Sequence, residues 1–181
     1  MKWTAVIFAI LPLITWSQVD PDSAMVFQND SLAVDSLAPG GLPGRVLTLA
    51  QTYLGTPYKY GSDSGGRFDC SGFVRHCYGS CRIDLPHGSG NQSQLCDPIS
   101  LADVQPGDLL FFKGRNVKSN LIGHVAMVLD VVDGKVRMIH ATTHAGVKID
   151  VYNDSAYYTT RFVKAGRLKR QIIDCLSGQG G

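Results

Sequence analysis

Residues 123–141 read GHVAMVLDVVDGKVRMIHA, and this stretch predicts a β hairpin. Two apolar runs rich in β-branched residues, 124–132 and 135–141, flank the dipeptide Asp133-Gly134. An Asp-Gly pair between two strand-like runs is typical of a short hairpin turn, because the residues of that turn need a positive φ. The stretch is therefore expected to form two neighbouring antiparallel strands.

The predicted hairpin carries two histidines, His124 and His140, one in each strand. With a regular two-residue turn, Met127 would face His140, and His124 would lie on the opposite face of the sheet, because a shift of one residue reverses every side chain of a strand. The two rings can share a face only if the loop holds an odd number of residues or one strand carries a bulge. We expect such an irregularity if the two imidazoles act together.

Upstream of the hairpin, the sequence predicts a helix that begins at Cys70 and ends at Gly79. Asp69 is a favourable N-cap residue for it. The apolar side chains at helical spacing are Phe73, Val74, Cys77 and Tyr78. Free backbone N–H groups and the helix macrodipole stabilise a thiolate at such a position. We therefore expect the pKa of Cys70 to lie below the ordinary thiol value of about 8.5.

The other regular elements are expected on both sides of this helix and hairpin. Residues 46–54 carry apolar side chains at helical spacing, and residues 108–112 (DLLFF) follow a Pro-Gly turn as a strand. One more strand is expected from Tyr157 to Arg167 (YYTTRFVKAGR), whereas residues 80–100, rich in Gly, Ser, Pro and Asn, are expected to be irregular. Helices precede strands along the chain, so the predicted class is α+β, with N-terminal helices packed on a C-terminal antiparallel sheet.

The sequence also predicts how the chain is divided. Residues 1–17 are expected to be a signal peptide, because their apolar run is shorter than the about 20 residues of a bilayer span. Export to the periplasm or the medium follows, without stable membrane insertion after cleavage. Residues 18–44, with four Asp and no Lys or Arg, predict a flexible linker. Residues 45–170 form the predicted folded domain, and residues 171–181 a C-terminal tail.

Length and charge limit the classes of function. The chain has 181 residues, of which 44% are hydrophobic and 18% charged, and its formal net charge is +2. This is enough chain for one compact domain, which we expect to be a monomer. The charge is too small to indicate binding of nucleic acid or of an anionic membrane surface.

The candidate catalytic residues are Cys70, His124 and His140. Thiol-based hydrolysis needs a nucleophilic sulfur, an imidazole within hydrogen-bond reach and a third polar group that orients the imidazole. Cys70 lies at a predicted helix start, and His124 and His140 lie on neighbouring predicted strands. Their order along the chain fits nucleophile, general base and orienting residue, although spacing alone does not decide it.

Five short motifs in this order resemble the NlpC-type peptidoglycan endopeptidases, a papain-like family. They are TPY at 56–58, DCSGFV at 69–74, PGDL at 106–109, GHV at 123–125 and MIHA at 138–141. The resemblance covers about residues 45–168 and implies a papain-like fold without a cofactor. It implies the same roles for Cys70, His124 and His140 as the chemistry above.

The resemblance also implies a substrate. Family members typically cleave stem peptides between D-γ-glutamate and the following diamino acid, in peptidoglycan or in soluble wall peptides. Substrate-facing roles are implied for Tyr58, Asp69 and Ser71. The chain departs from the family pattern at His87-Gly88-Ser89, where an Arg and a Ser often occur together.

Several alternatives remain open at this stage. The same site could serve a cell-wall amidase or an acyltransferase, or belong to an inactive wall-binding module. Besides Cys70, the cysteines are Cys77, Cys81, Cys96 and Cys175, and an exported chain favours disulfides among them. We expect a Cys81–Cys96 bridge, since both residues flank the Gly-rich loop. A competing zinc site would use the two Cys-x3-Cys and His-x3-His spacings, 77–81 and 140–144.

Overall fold

The computed structural model describes residues 41–64 and 66–177, with side chains up to residue 173. The predicted signal peptide and nearly all of the predicted linker lie outside the described residues. The helices within them are α1 (Gly41–Thr52), α2 (Cys70–Gly79), α3 (Ser89–Gln94), α4 (Ala156–Thr159) and α5 (Arg170–Ser177). The strands are β1 (Cys96–Ile99), β2 (Leu109–Lys113), β3 (Ile122–Val132), β4 (Lys135–Thr142), β5 (Gly146–Val151) and β6 (Phe162–Leu168).

The six strands form one sheet in the order β1-β6-β2-β3-β4-β5, and every neighbouring pair is antiparallel. The N-terminal helices pack on this sheet, which confirms the α+β prediction. Strand β2 is buried on both faces. Leu109 and Phe111 join the core beneath α1 and α2, whereas Leu110 and Phe112 join a second core on the other face. This explains why its sequence, LLFF, is continuously apolar rather than alternating.

The β3–β4 hairpin carries the irregularity that the sequence predicts. Its two-residue turn has φ of 51° at Asp133 and 71° at Gly134. Pairing is regular from this turn as far as Asp130 with Arg137, but the next pair is Val128 with Met138. Leu129 therefore has no counterpart in β4 and forms a bulge. As a result, Met127 faces Ile139 instead of His140.

Several boundaries differ from the sequence prediction. Helix α1 begins at Gly41, inside the predicted linker, because Pro43 lies in the first helical turn, where a missing N–H costs little. Helix α3 and strand β1 lie within 80–100, which the sequence indicated as irregular. The buried Gln92 side chain, which donates to Ser71 O and Pro86 O, holds the short polar helix α3 in place. Helix α5 occupies most of the predicted C-terminal tail.

Strand β5 was not predicted, and it joins the edge of the sheet to the loop before α2. Val147 N donates to Thr56 O at 2.9 Å, and Gly55 N donates to Val147 O at 2.8 Å. Gly146, with φ of 66°, makes this approach possible, because a Cβ there would lie 2.1 Å from Thr56 O. The contact fixes the loop that carries Tyr58 against β5.

We expect Gly146→Ala to destabilise the fold by about 3 kcal/mol or more, since it adds a steric clash to a left-handed backbone strain of about 1–2 kcal/mol. Gly134→Ala is the matched control, because Gly134 also has a positive φ but has open space around it. Chemical denaturation of both variants measures the difference. Equal losses of unfolding free energy would contradict the close approach of Gly146 to Thr56.

Candidate active site

Cys70 is the first residue of α2, and Asp69 caps that helix as predicted. Asp69 has extended backbone angles, and its Oδ1 accepts hydrogen bonds from Gly72 N at 2.7 Å and from Ser71 Oγ at 3.0 Å. The Cys70 side chain is 9% exposed. Its sulfur lies against β3, where the N–H of Val125 faces it, together with the N–H groups of Ser71 and Cys70 itself. The thiol is thus adjacent to the strand residue that follows His124.

The prediction of a lowered thiol pKa is wrong for this structure. Burial, followed by the negative charge of Asp69, raises the pKa of Cys70 to about 11. The backbone N–H groups act in the opposite direction, as expected for a helix start, but they do not outweigh these two effects. At neutral pH Cys70 is therefore a protonated thiol in the free protein.

The two predicted histidines are brought together by the bulge at Leu129. His124 Nε2 and His140 Nδ1 are 2.8 Å apart, and the ring planes meet at 66°. His140 is completely buried. Burial, followed by the proximity of His140, lowers the pKa of His124 to about 3, and burial also lowers the pKa of His140. Both imidazoles are therefore neutral at pH 7.

Sequence reasoning missed a third member of this hydrogen-bonded chain, Asp150 on β5. Its Oδ2 lies 3.0 Å from His140 Nε2, and its Oδ1 lies 2.7 Å from Lys148 Nζ. The hydrogen bond with His140 is the main cause that lowers the pKa of Asp150. The alternation of GVKIDV at 146–151 was a readable strand signal, and it would have placed Lys148 and Asp150 on one face.

An aromatic side chain, Tyr158 of α4, covers the histidine pair. It stacks on His124 with ring centroids 6.3 Å apart and meets His140 edge-on at 5.3 Å. Phe112 contacts both His124 and Tyr158. These rings shield the two imidazoles from water on that side, which is the physical origin of their lowered pKa values. No motif in the sequence indicated Tyr158.

Of the three predicted substrate-facing residues, only Tyr58 keeps substantial exposure. It is half-buried, and burial, followed by the charges of Cys70 and Asp69, raises its pKa to about 12, which places it near both. Asp69 and Ser71 are 4% and 2% exposed. The second oxygen of Asp69, Oδ2, also accepts from Gly61 N at 2.9 Å and lies 3.1 Å from His87 Nε2.

The predicted Cys81–Cys96 disulfide is not formed, and the described thiols of Cys77, Cys81 and Cys96 are all free. Cys96 is buried on β1 and donates to Gln92 O, whereas Cys81 lies in the turn after α2, beside Ser80 Oγ. The two side chains are therefore committed to different surroundings. The side chain of Cys175 lies outside the described residues.

The part of the chain that the structure describes offers no grouped metal ligands and no membrane-spanning helix. Within it, no three His, Cys, Asp or Glu side chains are grouped as ligands of a metal ion. In the competing zinc arrangement, His140 is already bound by His124 and Asp150, and His144 is exposed in the turn after β4. None of the helices between residues 41 and 177 has the length and apolar character of a membrane span.

Three relatives show sequence identity to this chain. The chain is 29% identical over 124 residues to a gamma-DL-glutamyl hydrolase of Bacillus subtilis, covering 68% of the chain and 29% of that protein. It is 36% identical over 96 residues to a gamma-D-glutamyl-L-lysine dipeptidyl-peptidase of Bacillus cereus, covering 53% and 27%. It is 38% identical over 127 residues to a probable endopeptidase of Mycobacterium bovis, covering 62% and 30%. The chain thus spans about 30% of the length of these relatives.

Solved structures share the fold. An NlpC/P60 family protein from Bacillus cereus superposes with a TM-score of 0.63 at 32% identity, over 72% of this chain and 41% of that one. The NlpC/p60 domain of the peptidoglycan hydrolase SagA gives 0.57 at 28% identity, over 70% and 98%. The model of the NlpC/P60 family matches residues 55–167, more than half of the chain. The chain therefore belongs to the NlpC/P60 family.

Proposed function

We propose that this protein is an exported cysteine endopeptidase that hydrolyses cell-wall stem peptides at the bond between D-γ-glutamate and the following diamino acid. The observation that carries the proposal is the hydrogen-bonded pair of His124 and His140, in which His124 precedes Val125, the strand residue that lies against the thiol of Cys70. The names of the related hydrolase and dipeptidyl-peptidase support the γ-glutamyl specificity.

In the proposed mechanism, Cys70 is the nucleophile and His124 the general base. The thiol of Cys70 and the imidazole of His124 are both neutral in the free protein. His124 therefore removes the thiol proton while the sulfur attacks the carbonyl carbon, and no thiolate forms before the substrate binds. The backbone N–H groups of Cys70 and Ser71 are in position to stabilise the oxyanion of the tetrahedral intermediate. His124 then donates its proton to the leaving amine, and a thioester with Cys70 remains.

Water completes the reaction. His124 removes a proton from a water molecule, which attacks the thioester carbonyl, and the thiol of Cys70 is regenerated. His140 holds the ring of His124 throughout by their shared hydrogen bond. A ring that is held by a fixed hydrogen-bond partner keeps its orientation between turnovers, which favours catalysis by proximity.

We assign the substrate side of the site to Tyr58, Asp69 and Ser71. Tyr58 offers the accessible surface and a hydroxyl near the thiol. Asp69 supplies negative charge for a free amine of a stem peptide, and its three hydrogen-bond donors, Gly61 N, Ser71 Oγ and Gly72 N, keep the carboxylate in place. Ser71 acts through its bond to Asp69. His87, where the family often has Arg, faces the same carboxylate and is expected to alter the preferred peptide.

The product of a defined wall peptide tests the proposed activity. Incubation of L-Ala-γ-D-Glu-diaminopimelate peptides with the protein should release the dipeptide and a free diamino-acid amine, as measured by mass spectrometry. Cys70→Ala should abolish this product, while Cys81→Ala, which removes a half-buried thiol of the turn after α2, should leave the rate within about 3-fold.

Other products would change the conclusion. Release of the intact peptide from the lactyl sugar would identify an amidase, and transfer of the acyl group to an added amine would identify an acyltransferase. Cleavage that persists in Cys70→Ala, or no cleavage by any preparation, would refute the endopeptidase.

The raised thiol pKa predicts how Cys70 reacts with iodoacetamide. A pKa of about 11 leaves only about one thiol in 10³ ionised at pH 8, so the alkylation rate should keep rising from pH 7 to pH 10. His124 is neutral across this range and adds no inflection. Peptide mapping by mass spectrometry separates Cys70 from the other thiols. A plateau already reached at pH 7 would show a preformed thiolate–imidazolium pair instead.

A further inference from the structure

We propose that Asp150 is a positioning residue that fixes the tautomers of both His140 and His124, and so leaves Nδ1 of His124 free to act on Cys70. The catalytic consequence rests on the proposed function, whereas the assignment of protons rests on the distances between these side chains and on their charge states. The assignment follows from the contacts that join Asp150 to His140 and His140 to His124. In this chain each contacting atom can act either as a donor or as an acceptor, but not as both.

The assignment begins at the carboxylate. Asp150 Oδ1 lies 2.7 Å from the ammonium group of Lys148, and Oδ2 lies 3.0 Å from His140 Nε2. The Tyr158 hydroxyl also interacts with Asp150. With the pKa of Asp150 lowered, the group is ionised at neutral pH and can only accept hydrogen bonds. His140 Nε2 must therefore carry a proton.

The next step passes through His140. Its ring is completely buried and neutral, and a neutral imidazole carries one N–H. With that proton on Nε2, its Nδ1 is an acceptor. His124 Nε2 lies 2.8 Å from this Nδ1 and must be the donor, since two facing lone pairs would repel.

The last step concerns His124. Its ring is neutral as well, and its single proton is on Nε2. Nδ1 is then the only nitrogen of either imidazole with a free lone pair. This is the atom that can remove the thiol proton, so a carboxylate two hydrogen bonds away decides which nitrogen is the base.

Asp150 also acts when His124 becomes charged. After proton transfer, the positive imidazolium of His124 donates to His140, which in turn donates to the carboxylate. The negative charge of Asp150 raises the pKa of His124, opposite to the effect of burial. Lys148 works against it, because its positive charge lowers the pKa of His140. The carboxylate is thus placed to stabilise the charge that appears only during the reaction.

The substitution Asp150→Asn tests this assignment. The amide can turn its NH₂ group toward His140 Nε2, which moves the proton of His140 to Nδ1 and that of His124 to Nδ1, where it blocks the base. Loss of the correct tautomer in a comparable triad costs about 10⁴ in kcat, and we expect at least about 10² here, with KM changed by less than about 3-fold.

Two variants provide controls. Asp154→Asn removes a carboxylate from an exposed ion pair with Lys135 and should leave kcat unchanged. Asp130→Asn removes a carboxylate from an ion pair with Arg137 on the same β3–β4 hairpin, outside this chain of contacts, and should change kcat by less than about 3-fold. A loss as large as that of Asp150→Asn in either control would show that a general change of surface charge, rather than the bond to His140, causes the effect.

The tautomers themselves can be read without any activity assay. In the full chain labelled with ¹⁵N-histidine, imidazole ¹⁵N shifts at pH 7 should show bare Nδ1 and protonated Nε2 for both His124 and His140. Asp150→Asn should move these shifts. Protonated Nδ1 on His124 in the wild type, or unchanged shifts in Asp150→Asn, would overturn the proposal even if kcat falls. Failure to cleave wall peptides would instead refute the proposed function and leave this readout intact.

Discussion

A single extra residue in β3, Leu129, decides which side chains of β3 and β4 meet. Main-chain hydrogen bonds allow the register of two paired strands to change only by whole residues. The two histidines therefore lie either on the same face of the sheet or on opposite faces. With Leu129 bulged, His124 and His140 become neighbours at 2.8 Å. The aromatic ring of Tyr158 covers this pair of histidines, and the carboxylate of Asp150 binds His140. Both residues follow His140 in the sequence.

The start of α2 shows two opposite electrostatic effects at close range. Asp69 orders the first turn, since its carboxylate accepts from Gly72 N and Ser71 Oγ. The same charge, next to a buried sulfur, opposes ionisation of Cys70. A helix N-terminus therefore does not guarantee a thiolate. The residue that builds the helix start also raises the pKa of Cys70.

The parts of the fold that the sequence predicted well are those determined locally. The Asp69 cap, the apolar face of α2 and the Asp133-Gly134 turn each depend on residues close together in the chain. The register of β3 and β4 allowed one further prediction, a bulge, because His124 and His140 could not otherwise lie on the same face of the sheet. Asp150 was missed because its role depends on β5, a short strand whose pairing with β4 is not visible in either segment alone.

The prediction of a lowered pKa for Cys70 and the prediction of a Cys81–Cys96 disulfide were wrong for a related reason. Both predictions relied on position in the chain. The pKa prediction used the place of Cys70 at a helix start, and the disulfide prediction used the places of Cys81 and Cys96 on either side of a loop. Burial and side-chain direction, which decide both properties, arise only after packing. Helix α3 is similar, since its polar sequence forms a helix only because Gln92 is held by Ser71 O and Pro86 O.

The strand order has a consequence for synthesis from the N-terminus onward. Strand β6 lies between β1 and β2, although it is the last strand among the described residues. While residues 162–168 are still being made, β2 has an open edge, and β1 lacks its partner. Tyr158, whose ring covers the histidine pair, is synthesised only shortly before β6. A nascent chain therefore holds Cys70 and both histidines before their surroundings are closed, and the site is complete only after β6 has been made.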